Sequence, residues 1–279
     1  MKIFVFGANG MLGSYVSKYL AERYEVIAIC RKDYDLCDLN VHTLYRFLME
    51  KNLEKDDIVI NCAGVIPQAS KQRDLNTRLY FLINSIFPVI LSSICSQLEV
   101  KMIHITTDCV FSGKDGQYHE MSQHDEINDY GLSKSLGEKC DCTIIRTSII
   151  GEEIYNKISL LEWVKSNSGK EIKGYINHYW NGVTCLQLSK IILEIIEKEL
   201  YWQGVKHIFS PNSVTKYDLV SLISDIYGLN VKVNPFSTPE KVDKTITSIY
   251  PVLFDIPDLK NQILEMKEFD ISKHKIILR

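Results

Sequence analysis

The feature that most constrains this chain is a glycine-spaced turn near its start. Gly7-Ala8-Asn9-Gly10-Met11-Leu12-Gly13 follows the apolar run Lys2–Phe6 and precedes a helical pattern that reaches about Arg23. In that place the spacing G-x-x-G-x-x-G has a mechanical meaning. Gly7 lets the chain turn sharply off the strand. Gly10 lets backbone amides approach a pyrophosphate, and Gly13 lets the helix pack close to the strand. The helix N-terminus adds donors and a positive field. Three glycines alone would mark any tight strand–helix turn, so the weight lies in their position between a clear strand and a clear helix. The whole turn is a candidate dinucleotide cradle, Asn9, Met11 and Leu12 included.

The rest of the first 150 residues repeats the same rhythm. Strand patterns are expected at 25–30, 58–63, 101–106 and 142–148, with a short segment near 35–37. Helical patterns fall at 41–51, 75–97 and 130–139. Repeated βαβ units with apolar strands predict an α/β fold, a Rossmann-type doubly wound parallel sheet. After Gly151 the rhythm changes. An amphipathic helix is expected over 186–200 and another over 213–227, with Thr215 or Ser213 as N-cap and Gly228 as its stop. The tail carries Pro235, Pro239, Pro251 and Pro257. Residues 1–151 are therefore expected to form the dinucleotide-binding domain, to which helix 186–200 returns. Residues 152–279 are expected to form, in the main, a smaller and discontinuous C-terminal substrate domain.

Composition removes several alternatives. The 279 residues carry 32 Lys+Arg against 35 Asp+Glu, a net charge of −3, with no block of like charge. That speaks against a nucleic-acid groove or an anionic membrane surface. No apolar run looks long enough to span a bilayer, and the N-terminal apolar stretch is too short for a signal peptide. Eight cysteines lie scattered, several in apolar runs, without a Cys-x-x-Cys pair. Reduced thiols in a cytoplasm, without a zinc site, are expected; the pair Cys140 and Cys142 is only a faint metal hint. Nothing in the sequence separates a monomer from a homodimer.

Three further motifs carry chemistry. The second strand ends Ile29-Cys30-Arg31-Lys32, about 20 residues past the glycines, where a site for a dinucleotide lacking the 2′-phosphate usually places an acid. Two cations there favour NADPH over NADH, with Asp33 close enough to compete and keep NADH in play. Tyr130-Gly131-Leu132-Ser133-Lys134 places a phenol and an ammonium on one helix face. The cation is expected to lower the phenol pKa, so that the phenol can pass a proton to a carbonyl oxygen. Thr107, at the end of the strand Ile105-Thr106-Thr107, stands where parallel sheets bind ligands and can donate to the same oxygen.

Together these motifs resemble the extended short-chain dehydrogenase/reductase superfamily, and within it the dTDP-4-dehydrorhamnose reductase family of sugar-nucleotide reductases. The resemblance is strong over residues 1–151 and looser beyond, where Trp180-Asn181-Gly182-Val183-Thr184 matches the family's return to the sheet. It implies that Gly7, Gly10 and Gly13 hold the pyrophosphate, that Asp35 and Leu36 lie beside the adenine, and that Cys62, Ala63 and Gly64 lie beside a cofactor ribose. It implies a catalytic set of Thr107, Tyr130 and Lys134, and substrate contacts from Thr107, Asp108, Cys109, Tyr130 and Ile149. Thr107-Asp108-Cys109-Val110-Phe111-Ser112-Gly113 and Arg146-Thr147-Ser148 match the family's T-D-x-V-F-x-G and R-T-S stretches. Two departures concern the sugar pocket. Ile149 replaces a frequent Trp, and Ala63-Gly64-Val65-Ile66 replaces a frequent Ala-Ala-Tyr-Thr.

The implied reaction is NADPH-dependent reduction of the 4-keto group of a nucleotide-linked 4-keto-6-deoxyhexose. The carrier is dTDP or UDP, and the sugar is 4-dehydrorhamnose or a 2-acetamido-2,6-dideoxy analogue. A 4,6-dehydratase would need Glu where Cys109 stands. A 4-epimerase would hold NAD, against the basic strand end. A bifunctional 3,5-epimerase/4-reductase would use Cys109 as acid/base, with His178 as the nearest histidine partner. A non-catalytic NADP-binding regulatory subunit is the reading from another class.

Overall fold

The computed structural model describes residues 1–67 and 77–273. Its centre is a six-stranded, all-parallel sheet. Five strands come from the first half: β1 (Lys2–Phe6), β2 (Glu25–Ile29), β3 (Ile58–Asn61), β4 (Lys101–Thr107) and β5 (Thr143–Thr147). The strand Gly204–His207 pairs with β5 and completes the order Gly204–His207, β5, β4, β3, β1, β2. The order reverses between β1 and β3, which opens a crevice at the carboxyl ends of the strands.

The central strands β1 and β3 are largely apolar because both their faces are covered. Ile3 and Val5 of β1 point into one layer, with Ile58, Ile60, Ile103, Ile105 and Ile145. Phe4 and Phe6 point into the other, with Val59, Met102 and Ile144. The first layer is closed by helix α1 (Met11–Leu20), by helix Cys185–Glu197 packed on α1, and by helix Leu259–Phe269. The chain beyond residue 151 thus returns to the large sheet as helices Cys185–Glu197 and Leu259–Phe269 and as the edge strand Gly204–His207; the edge strand was not anticipated. The remaining strands form small sheets. His178–Trp180 lies between Val214–Thr215 and Val242–Asp243, and Glu171–Tyr175 pairs with Lys232–Phe236.

Several expectations change locally. The segment near 35–37 is a short 3₁₀ turn, Leu36–Asp38, capped by Asp35, not a strand. Thr215, not Ser213, caps helix Lys216–Tyr227, and Gly228 ends it at φ 65°. Residues 75 and 76 of the expected helix 75–97 lie outside the described residues. The rest of that helix, Thr77–Gln97, is long and apolar enough to cross a membrane, contrary to expectation. Its apolar residues Phe87, Leu91, Ile94 and Cys95 are buried in the second core layer, and a π turn at Leu82–Ile86 interrupts it.

A buried polar network anchors helix Asp129–Gly137 to the sheet. Arg146 of β5 donates to both carboxylate oxygens of Glu138, at 2.9 and 2.5 Å, with both side chains almost wholly buried. Two further guanidinium hydrogens go to His207 and His124, each at 2.8 Å, and the group lies over the Phe111 ring. Both imidazoles must therefore be neutral acceptors. Burial accordingly lowers both pKa values, that of His207 to about 4.

Removing one partner of such a pair leaves an uncompensated buried charge. Arg146→Leu should destabilise the protein by about 3–5 kcal/mol, and Arg146→Leu/Glu138→Leu by less than the single change. Urea unfolding of both variants checks this. A double variant less stable than Arg146→Leu would contradict it.

Candidate active site

The site is built along the carboxyl ends of β1, β3 and β4. The turn after β1 is stripped of side chains where backbones meet. Gly7 holds φ 76°, and a Cβ there would lie 2.7 Å from the backbone of Ala63. A Cβ on Gly13 would lie 2.1 Å from the Gly7 carbonyl oxygen. Gly10 starts α1 without a side-chain cap, and the first turn holds no acid. The amides at the start of α1 are therefore orphan donors in a positive helix-end field. A cradle that any Cβ would fill, with donors and no competing carboxylate, fits a dinucleotide pyrophosphate. Asn9 is exposed and Met11 half-buried, whereas the Leu12 side chain is buried in the core, so only its backbone faces the turn.

The turn is tied to the end of β2, because the amides of Gly7 and Ala8 both donate to the Ile29 carbonyl. Arg31 and Lys32 follow at once. Asp33, exposed, folds back on its own turn and accepts from the Cys30 amide at 2.8 Å. The Arg31 guanidinium, largely exposed, is steadied by Asp35 at 2.9 Å. Asp35 also accepts from the Cys37 amide, so Leu36 opens the short turn beside it.

Beyond β3, the Cys62 amide donates to Phe6 and the Ala63 amide to the Asn61 side chain. Asn84, in the π turn, clamps the following loop. Its side chain accepts from the Val65 amide at 2.8 Å, donates to the Val65 carbonyl at 3.0 Å, and donates to Ser133 at 3.1 Å. It joins the cofactor-side loop to the helix that carries Tyr130 and Lys134. Asn84 was not singled out from the sequence; a lone amide in an apolar helix was the available signal. π turns often sit at functional sites.

Thr107 ends β4. Its hydroxyl donates to Asp108 and accepts from the Cys109 amide, both at 3.1 Å. Tyr130 lies in the first turn of helix Asp129–Gly137, capped by Asn128, and its ring meets Tyr80 edge-on. Burial, reinforced by Cys109, pushes the phenol pKa far up, and the Thr107 hydroxyl beside it pulls the other way. Lys134, one turn later, faces Gly64: a Cβ at Gly64 would come within 2.8 Å of its Nζ. Burial brings the ammonium down to about 8, with Glu138 and Cys62 opposing.

One expectation needs correction. Lys134 was expected to lower the Tyr130 pKa, but the charges acting on the phenol are those of Cys109, Asp108 and Tyr80. Lys134 points towards Gly64 and Cys62, and desolvation of the phenol prevails. Tyr130 is held protonated, the form required of a proton donor.

Cys109 and His178 share no hydrogen bond among the described residues. The Cys109 thiol donates to Asp108 at 3.4 Å, and burial pushes it up to about 12. His178 is bonded to Thr238 at 2.9 Å and stacked on Tyr175. Ile149 is half-buried on a short strand paired with Val183. Cys140 and Cys142 are buried, with the Cys140 thiol on the Gly137 carbonyl. An apolar cavity of about 290 Å³ lies elsewhere, between the edge strand Gly204–His207 and residues 248–256, and holds none of the motif residues. Lys216, whose charge is felt by Asp108 and Cys109 and whose ammonium lies over Trp180, was not read as a site residue.

With this geometry in view, relatives are informative. The model of the RmlD substrate binding domain family matches residues 1–257. The chain is 25% identical to a probable low-salt glycan biosynthesis reductase of Haloferax volcanii, over 94% of this chain and 92% of that one. It is 27% identical to a dTDP-4-keto-6-deoxy-D-glucose reductase of Streptomyces niveus, over 89% and 87%. Among solved structures, a dTDP-4-dehydrorhamnose reductase of Clostridium acetobutylicum superposes with a TM-score of 0.77 at 25% identity, over 96% of this chain and 99% of that one. The Bacillus anthracis dTDP-4-dehydrorhamnose reductase, solved in complex with NADP, superposes with a TM-score of 0.80 at 22% identity, over 96% and 99%. The match of the family model over most of the chain and the full-length reductase relatives place this protein in the RmlD substrate-binding-domain family, as a sugar-nucleotide reductase.

Proposed function

We propose that the protein uses NADPH to reduce the 4-keto group of a 4-keto-6-deoxyhexose carried on dTDP or UDP, making a deoxysugar nucleotide for glycan biosynthesis in the cytoplasm. The sugar is 4-dehydrorhamnose or a 2-acetamido-2,6-dideoxy analogue. The observation that carries this reading is the Tyr130 phenol set beside the Thr107 hydroxyl, with Lys134 one helical turn away. The named activities of the relatives support the substrate class. In this reading residues 1–151, with helix Cys185–Glu197 returning to their sheet, hold the cofactor, and the small sheets built from residues 171–180, 214–215 and 232–243 close over the sugar.

The glycine turn receives the pyrophosphate, and Asp35 with Leu36 flanks the adenine. Arg31 and Lys32 meet the 2′-phosphate. Asp33 is spent on its own turn, which favours NADPH over NADH. The NADP bound by the Bacillus anthracis relative is in keeping with this. When bound, NADPH supplies the hydride. Cys62, Ala63, Gly64 and Lys134 border the nicotinamide ribose. As C4 becomes tetrahedral its oxygen gains negative charge. Tyr130 gives that oxygen a proton, and Thr107 hydrogen-bonds it. Asp108, Cys109 and Ile149 border the sugar. Cys109 is held protonated on Asp108 and shares no hydrogen bond with His178 among the described residues, which favours simple reduction over 3,5-epimerisation.

Tyr130→Phe keeps the ring and removes the proton. It should lower kcat by about 10²–10⁴-fold, with NADPH affinity little changed. Single-turnover kinetics and cofactor titration check this, and a wild-type chemical step would contradict it. Arg31→Asp should raise KM for NADPH about ten- to a hundredfold more than KM for NADH, as loss of a charged hydrogen bond worth about 1.5–3 kcal/mol implies. Equal effects on the two cofactors would contradict the 2′-phosphate assignment.

A further inference from the structure

Three lysines bear on the active-site end of the fold, and their surroundings differ. Lys134 is buried against Gly64 and belongs to the cofactor side. Lys244 is engaged with Glu126 at 3.3 Å. Lys216 has no hydrogen bond and no carboxylate within 4 Å among the described residues. It is the first residue of helix Lys216–Tyr227, and its ammonium rests over the indole of Trp180, 5.1 Å from the ring centre. The Trp180 ring is itself buried. The obvious counter-ion, Asp218 in the same turn, is committed elsewhere. Its carboxylate accepts from the Thr215 amide at 3.1 Å and the Thr215 hydroxyl at 2.6 Å, closing the helix cap.

Burial disfavours the Lys216 charge, whereas Asp108 and Cys109, the two residues that follow Thr107, favour it, and His178 is also within its electrostatic reach. The small sheet that carries Trp180 is tied to the loop after β4, since the Asp243 amide of its neighbouring strand donates to the Gly113 carbonyl at 2.7 Å, so Lys216 is brought beside that strand end by the C-terminal half of the chain. Asp108 is only a partial complement, since its carboxylate already accepts from Thr107 and Cys109.

A half-buried ammonium with no direct ion pair is costly unless a ligand completes it. Neutral sugar hydroxyls offset little of that cost. A nucleotide sugar carries its negative charge on the diphosphate, attached to C1, one pyranose ring away from the C4 carbonyl. We propose that Lys216, supported by the Trp180 indole, binds the diphosphate of the nucleotide-sugar substrate and so sets how the sugar is presented to Thr107 and Tyr130. The inference rests on the substrate class proposed above and adds a residue from outside the N-terminal motifs. Lys216 is a positioning residue in this scheme, with no part in proton transfer.

The test uses the full-length protein saturated with NADP⁺ and isothermal titration with dTDP, UDP, thymidine and uridine. Lys216→Gln should weaken binding of the preferred nucleoside diphosphate about ten- to a hundredfold, the loss typical of a charged hydrogen bond. Nucleoside and NADP⁺ affinities should stay unchanged. Lys216→Arg should recover most of the diphosphate affinity. Lys216→Met keeps the aliphatic stem over Trp180 and should behave as Lys216→Gln, which separates charge from packing. Diphosphate affinity at the wild-type level in both Lys216→Gln and Lys216→Met would overturn the proposal and leave the reductase reading intact. A wild-type protein that binds neither nucleoside diphosphate would overturn the substrate class and this inference with it.

Discussion

The close approach of bare backbone between β1, α1 and β3 is the constraint on which the rest of the structure depends. Gly13 must admit the Gly7 carbonyl where any side chain would collide, and Gly7 must pass the backbone of Ala63. That contact seats α1 on the sheet and points its uncapped amides at the crevice. It also sets how far the β3 end lies from the turn. The Ala63–Val65 loop that follows is the wall against which Asn84 and Lys134 are placed. A larger residue at Gly13 would have to move α1, and with it helix Cys185–Glu197 packed against it.

A second constraint holds the chemistry in place. The helix bearing Tyr130 and Lys134 is short, exposes Leu132 and Leu136, and has little apolar surface of its own to bury. Polar contacts hold it instead: Asn84 and Ser85 to Ser133, and Arg146 to Glu138 just past its end. Buried and fully paired, such groups fix geometry more than they add stability. The same burial sets the electrostatics. It keeps the phenol protonated and brings the Lys134 ammonium down to about 8, close to neutral pH.

The parallel sheet was readable because strands buried on both faces are continuous apolar runs, and the glycine turn was readable because only glycine fits there. The edge strand Gly204–His207 escaped because it is short and only half-buried, so it shows no apolar run. The segment near 35–37 was misjudged because Asp35 caps a 3₁₀ turn, a side-chain effect that strand patterning does not register. Thr107, Tyr130 and Lys134 stood out through spacing and position. Asn84, Lys216 and Trp180 did not, since their relation to the site arises only when a π turn and a distant helix cap fold onto the crevice. The phenol's acidity was misread for a similar reason. Spacing brings Lys134 to the same helix face, but burial decides which charge dominates.

The central claim is that hydride arrives at C4 and that no other sugar carbon exchanges protons. The most direct measurement uses NADPH deuterated at nicotinamide C4, on each face in turn, with a 4-keto-6-deoxyhexose nucleotide in ordinary water, and NMR of the product. The account predicts one deuterium at C4 of the sugar from one cofactor face. In the complementary run, with protiated NADPH in heavy water, it predicts no enzyme-dependent label at C3 or C5. Enzyme-dependent solvent deuterium at C3 or C5 would contradict this claim and assign Cys109 the acid/base role of a 3,5-epimerase/4-reductase. Cofactor deuterium absent from C4 in a reduced product would contradict the account outright.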